Sequence, residues 1–230
     1  MPWKVIVWRT DYLGIHDKQY QKLRTEGKPG WSSEEDIREM LAFVETTIMK
    51  EGLQSSGRLL ELGCGEGGLS LLLARMGFEV SGIDIAPTAI AWAKDKAQAQ
   101  ALNPDFRIGN VLDLPYPDDF FDLVVDGHCF HCIIGKDRER FLSQALRVTR
   151  PGGLFLVMTM CNEVSENFRT HFDPVTRCLV KEGVAGRYIG RSEDILREIT
   201  EAGFRVKSPA VTVDPSHQGD LKVAAIKPPL

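Results

Sequence analysis

The sequence predicts an α/β domain, a mostly parallel sheet with helices on both faces. Three observations lead there. From residue 58 onward, short apolar runs of strand length alternate with segments of helical period. The turn between the first such strand and the first such helix is glycine-rich, Gly63-Cys64-Gly65-Glu66-Gly67-Gly68. The chain has 230 residues, 43% hydrophobic and 26% charged, enough for one such domain and short for two.

The elements follow in order. Residues 1–31 read as an N-terminal arm with three of the four Trp, ending in Gly27-Lys28-Pro29-Gly30-Trp31. Ser32 or Ser33 caps a helix whose first turn holds Glu34, Glu35 and Asp36, the charge a helix N-terminus favours. Ile37, Met40, Leu41, Val44 and Ile48 then recur at helical spacing. Arg58–Leu62 is a buried strand, and the helix after the glycine turn runs through Leu69 to Ala74 until Gly77 stops it. Residues 78–84 form the second strand, and Pro87 opens the next helix, proline being tolerated in a first turn. Residues 106–108 and 122–126 are the third and fourth strands, and 138–148 are helical. Pro151-Gly152-Gly153 is a sharp turn before a fifth strand at 154–160. Residues 161–190 break the rhythm and read as a loop-rich insert. Ser192 caps a helix ended by Gly203, and strands at 204–213 and 221–226 close the chain as an antiparallel hairpin.

Composition excludes several classes. A net charge of −4 gives no global basic field for nucleic acid. No apolar run approaches the roughly 20 residues that span a bilayer, and the stretch Val5-Ile6-Val7 is too short for a signal peptide. Five cysteines, an odd set, read as reduced thiols, so the expected location is the cytoplasm.

The glycine turn carries the functional signal. Gly63, Gly65 and Gly68 form G-x-G-x-x-G between a strand and a helix, where the missing Cβ lets the backbone approach a ligand. Dinucleotide enzymes use the same loop. Here Glu66 lies where a pyrophosphate would, and Glu61 adds a carboxylate just upstream; both suit a cationic ligand better. Asp84 ends the second strand about 20 residues on, where a carboxylate accepts from ribose hydroxyls.

Three stretches in series, LLELGCGEGGLSLLLARMGFEVSGIDIAPTAIAWA, GNVLDLPYPDDFFDLVV and ALRVTRPGGLFLV, resemble the Rossmann-like, class I methyltransferases that use S-adenosylmethionine (SAM), especially the small-molecule group called type 11. The resemblance covers roughly residues 57–160. It implies a three-layer α/β/α sandwich around a seven-stranded sheet whose last strand is antiparallel. It also implies SAM as cofactor, S-adenosylhomocysteine (SAH) as product and a small-molecule methyl acceptor. Glu61, Gly63 and Gly65 would line the methionine part of SAM, Asp84 would hold the ribose, and Ile85 would lie against the adenine. Asn110, Val111 and Leu112 would meet the adenine edge, Asn110 standing where the family usually has Asp. Asp126 would reach the methionine amino group, through its backbone carbonyl if not its side chain.

For the acceptor, Gly127-His128-Cys129-Phe130-His131-Cys132 follows the fourth strand, at the sheet end where open α/β folds bind ligands. His128 and His131 are the candidate catalytic residues, either able to take an acceptor's proton. The interleaved His and Cys cannot easily wrap a zinc tetrahedron, so no metal is assigned. The segment Tyr20-Gln21-Lys22-Leu23-Arg24, with Trp31, is similar to the arm of thiol and halide methyltransferases, which implies an aromatic cover over SAM. Cys129 or Cys132 with Cys178 resembles the cysteine order of arsenite methyltransferases, an alternative with a soft nucleophile. An NAD(P)-dependent oxidoreductase and a non-catalytic SAM-binding module are further alternatives. The expected organisation is one domain: arm and helix over 1–56, cofactor core over 57–160, an insert or lid over 161–190, and a C-terminal helix and hairpin over 191–230.

Overall fold

A computed structural model describes residues 8–54, 56–214 and 218–229. Seven strands form one sheet: β1 (Arg58–Leu62), β2 (Glu79–Asp84), β3 (Asp105–Ile108), β4 (Phe121–Gly127), β5 (Thr149–Met160), β9 (Arg205–Val213) and β10 (Gly219–Ile226). Their order is β3-β2-β1-β4-β5-β10-β9. The first five run parallel, and β10 is antiparallel to both β5 and β9. Strand order reverses between β1 and β4, the switch point that opens a crevice at the strands' carboxyl ends.

Period-two alternation feeds two cores. Leu60, Leu62 and Val124 face one apolar cluster with Phe141, Phe155 and Ile195; Leu59, Leu123 and Val125 face another with Val44, Leu69 and Leu156. The first cluster packs α5 (Asp137–Val148) and α7 (Ser192–Glu201), the second α2 (Glu34–Glu51) and α3 (Gly68–Arg75). The three-layer sandwich is the one the sequence implied. Ser33 caps α2 in a capping box with Asp36, and Pro87 opens α4 (Pro87–Ala99).

Within the arm the described residues form a helix the sequence reading did not specify, α1 (Tyr12–Thr25), capped by Asp11, which accepts from the Gly14 amide at 2.9 Å. Three expectations are corrected. The insert is not loop-rich: it holds a short helix α6 (Glu166–Arg169) and a three-stranded sheet of β6 (Phe172–Asp173), β7 (Cys178–Lys181) and β8 (Val184–Tyr188). The Pro151-Gly152-Gly153 segment lies inside β5, at a register shift against β4, rather than in a separate turn. Ser192 is the first residue of α7 and Arg191 holds the cap position. The arm residues 1–7 and the hairpin residues 215–217 lie outside the described structure.

Candidate active site

A cavity of about 600 Å³ sits at the switch point. Its base is the glycine turn. Gly63 and Gly65 have φ of +65° and +54°, conformations L side chains rarely adopt. A Cβ on Gly63 would come within 2.7 Å of the Cys129 Sγ, and one on Gly65 would strike the Tyr20 hydroxyl. Close approach on both sides therefore requires glycine.

Buried carboxylates build the cofactor end. Asp84 accepts from the Gly65 amide at 2.9 Å and the Ala86 amide at 2.8 Å, tying the glycine turn to the end of β2. Burial raises its pKa. Glu61 accepts from the Ser70 hydroxyl and is pushed up to about 8 by burial. Glu66 lies 3.7 Å from the Lys96 ammonium. Ile85, Asn110 and Val111 line the same wall, and the Asn110 Oδ1 accepts from the Leu112 amide at 2.9 Å.

Two sequence-implied residues are placed elsewhere. The Leu112 side chain is turned into the core with Val124 and Phe141 rather than onto the cavity. Asp126 is fully buried behind the wall: its Oδ1 accepts from the Cys129 and Phe130 amides at 2.9 Å each, shaping the turn after β4. Burial pushes Asp126 up to about 8.

His128 and His131 both line the cavity. His128 has φ of +70°, and its amide donates to the Met158 carbonyl at 3.1 Å. That strained turn aims the imidazole across the ends of β5 and β10. The two rings lie 5.7 Å apart, edge to face. The segment holds one 3-10 turn, Phe130–Cys132, in place of a longer helix. Burial lowers both imidazoles below the ordinary value of about 6.5, His131 the more strongly, so neither is the unperturbed base expected from sequence.

Sequence reasoning missed Asp220. Its Oδ2 lies 3.7 Å from the His128 Nε2 because β10 inserts antiparallel beside β5, with Asp220 opposite Met160. The signal lay in a carboxylate next to the start of the mostly apolar last strand. Met40, Met158, Met160 and Arg187 also line this end. Tyr20 and Trp31 cover the glycine turn, their rings 5.0 Å apart, and His16 stacks on Trp31 at 5.7 Å. Cys178 does not join Cys129 and Cys132: β7 buries it with Ile134 and Ala185, away from the cavity. Among the described residues, no three His, Cys, Asp or Glu side chains are arranged to hold a metal ion.

Among the described residues, seven carboxylates line the cavity against Arg187, Lys222 and three histidines, of which only His16 has its pKa raised, to about 9. This field suits a ligand carrying a sulfonium and an amino group and opposes a pyrophosphate.

Residues 60–157 match a family described as a methyltransferase domain. Ajmaline N-methyltransferase of Rauvolfia serpentina is 34% identical over 126 residues, 54% of this chain and 42% of that protein. The chain spans about half the length of the curated relatives it matches, or less. Among solved structures, the [4+2]-cyclase SpnF aligns over 98% of this chain and 100% of its own, with TM-score 0.75 and 18% identity. Burkholderia thailandensis 1,6-didemethyltoxoflavin-N1-methyltransferase, solved with its substrate and SAH, aligns over 94% of this chain and 88% of its own, with TM-score 0.73 and 16% identity. The fold and glycine-turn site define a Rossmann-like α/β protein. More particularly, residues 60–157 form a methyltransferase domain of the class I, SAM-dependent kind, with SAM as that domain's cofactor.

Proposed function

We propose that this chain transfers the methyl group of SAM to a small-molecule acceptor. The observation that carries this reading is one continuous cavity running from the glycine turn to His128, His131 and Asp220. Glu61, Gly63 and Gly65 would line the methionine part, with the Asp126 carbonyl toward its amino group. Asp84 would hold the ribose and Ile85 the adenine face. Asn110 and Val111 would meet the adenine edge, Leu112 contributing only backbone since its side chain is in the core. SAM supplies an already activated methyl group. The protein's share is to orient the acceptor and exclude water, a contribution that can reach about 7–11 kcal/mol. α1 and the insert sheet would form the lid: Tyr12, His16 and Arg187 reach the cavity from them.

A small acceptor agrees with a mouth roofed by α1 and β8 and with the small-molecule substrates in the names of the ajmaline and toxoflavin-type relatives. The fold shared with a [4+2]-cyclase supports a second reading, use of this scaffold without methyl transfer. Turnover decides. Methyl-labelled SAM incubated with a library of amines, alcohols and thiols should give SAH and labelled product in equal amounts. Tight SAM binding with no labelled product from any acceptor class would favour the second reading.

A further inference from the structure

At the acceptor end of the cavity some polar atoms have no hydrogen-bond partner among the described residues. Of the lining carboxylates, Glu61, Glu66 and Asp84 belong to the cofactor end. Asp36 accepts from the Ser33 amide and hydroxyl at 2.9 and 2.7 Å, Glu39 pairs with Lys222 at 2.5 Å, and Asp214 accepts from the Gln218 amide at 2.9 Å. Asp220 differs. Among the described residues its buried Oδ1 has no hydrogen-bond partner, while its Oδ2 faces His128. His131, 4% exposed and lining the same space, has no partner for its Nδ1 among the described residues. A buried carboxylate oxygen without a partner is costly, and a donor arriving with the ligand relieves that cost.

The chemistry of the donor follows from the pair. A carboxylate ligand brings no donor and meets like charge. A metal ion needs a converging set of ligands that the described residues do not form. A protonated amine brings several N–H groups and the positive charge that Asp220 lacks. Met40, Met158 and Met160 offer an adaptable apolar surface for the rest of such a molecule.

We infer that the methyl acceptor is a basic amine, anchored by Asp220 and His131 and deprotonated by His128. This rests on the methyltransferase reading above. His128 is neutral at rest because burial disfavours its cation. The ammonium gives one proton to the His128 imidazole, and Asp220 beside it offsets the new positive charge. The freed nitrogen pair forms the N–C bond as the C–S bond of the donor breaks, its electrons remaining on sulfur. The products are an N-methylated ammonium and SAH, and the imidazolium proton then leaves to solvent.

Burial pushes Asp220 up to about 7; Lys222 opposes that rise and Glu39, Asp214 and Asp36 reinforce it. Besides these residues of α2, β10 and the β9–β10 turn, Arg187 of β8 and the two histidines after β4 face the site. Amine binding should therefore weaken as pH falls below about 7 and Asp220 takes up a proton.

The test uses three probes of one shape, tryptamine, tryptophol and indole-3-acetate, and the matched benzylamine, benzyl alcohol and benzoate, titrated calorimetrically into SAH-saturated protein. In at least one series the amine should bind about tenfold more tightly than its alcohol and carboxylate, and Asp220→Asn should remove that preference while SAH affinity stays. Amines that bind no better than their matched partners in either series, or a preference that survives Asp220→Asn, would overturn the inference. Failure of SAH itself to bind would instead count against the cofactor reading, so the two failures are separable. Retained SAH binding by Asp220→Asn also shows that the variant is folded.

Discussion

Asp84 serves both the loop and the ligand, and a single substitution should reveal both roles. Its carboxylate holds the Gly65 and Ala86 amides, so Asp84→Ala orphans two buried donors and should cost about 1–3 kcal/mol of stability in denaturant unfolding. SAH affinity should fall by a further 2–3 kcal/mol or so, read by calorimetry, because ribose hydroxyls lose a charged acceptor. An affinity within about twofold of wild type would show that β2 ends in a structural carboxylate only. Glu61 predicts a pH dependence. Its folded pKa of about 8 lies above the unfolded value, so between about pH 4.5 and 8 the unfolded chain ionises it and the folded chain does not. Ionisable Glu61 therefore contributes progressively less stability as pH rises through that window. Glu61→Gln should gain stability relative to wild type from pH 5 to pH 8 while binding SAH more weakly. A difference between the two proteins that does not change with pH would contradict this. Residues of the glycine turn were legible from sequence because glycine chemistry is local. Asp220 was not, since its role depends on where a strand roughly 90 residues after His128 inserts in the sheet.

Arg138 joins several elements at a single buried point. Its guanidinium donates to the Phe130 and Ile133 carbonyls at 2.9 and 3.3 Å, pairs with Glu198 of α7 at 2.6 Å and lies 4.4 Å from the Tyr188 ring of β8. It thus fixes the turn that carries the two histidines. Arg138→Ala should destabilise by about 3 kcal/mol or more in denaturant unfolding, whereas Arg197→Ala, which breaks an exposed pair with Asp194, should leave the unfolding midpoint nearly unchanged. Equal costs would mean that Arg138 is not the tie. The parallel core was legible in the sequence because buried strands and glycine or proline punctuation repeat in order. The insert was not, since its strands are two to five residues long and form a separate small sheet, joined outside it by a bridge from Val184 to Arg9. One signal was present: Glu182-Gly183, both at positive φ, make a two-residue hairpin turn between Val180-Lys181 and Val184-Ala185. α1 went unread because its apolar face is narrow; Tyr20 is its buried residue, and contacts with Trp31 and the cavity order it.

At the scale of the whole molecule, ligand binding should draw the lid onto the core. Tyr12 links α1 to the turn before α5, its hydroxyl donating to Asp137 at 2.9 Å and accepting from the Ile134 amide at 3.1 Å. Amide exchange in α1 and in β6–β8 should slow when SAH binds, and Tyr12→Phe should weaken that protection in α1; exchange unchanged by SAH in both segments would argue against a lid. No helix among the described residues is long and apolar enough to cross a membrane. The central claim is that the acidic glycine turn selects a cationic sulfonium donor over a dinucleotide. Parallel calorimetric titrations with SAM, SAH and NADH test it most directly. The account predicts one SAM or SAH per chain, no measurable NADH binding, and about 2.7 kcal/mol of added stability when SAH stands at about 100 times its Kd. Saturable NADH binding without SAM or SAH binding would contradict it.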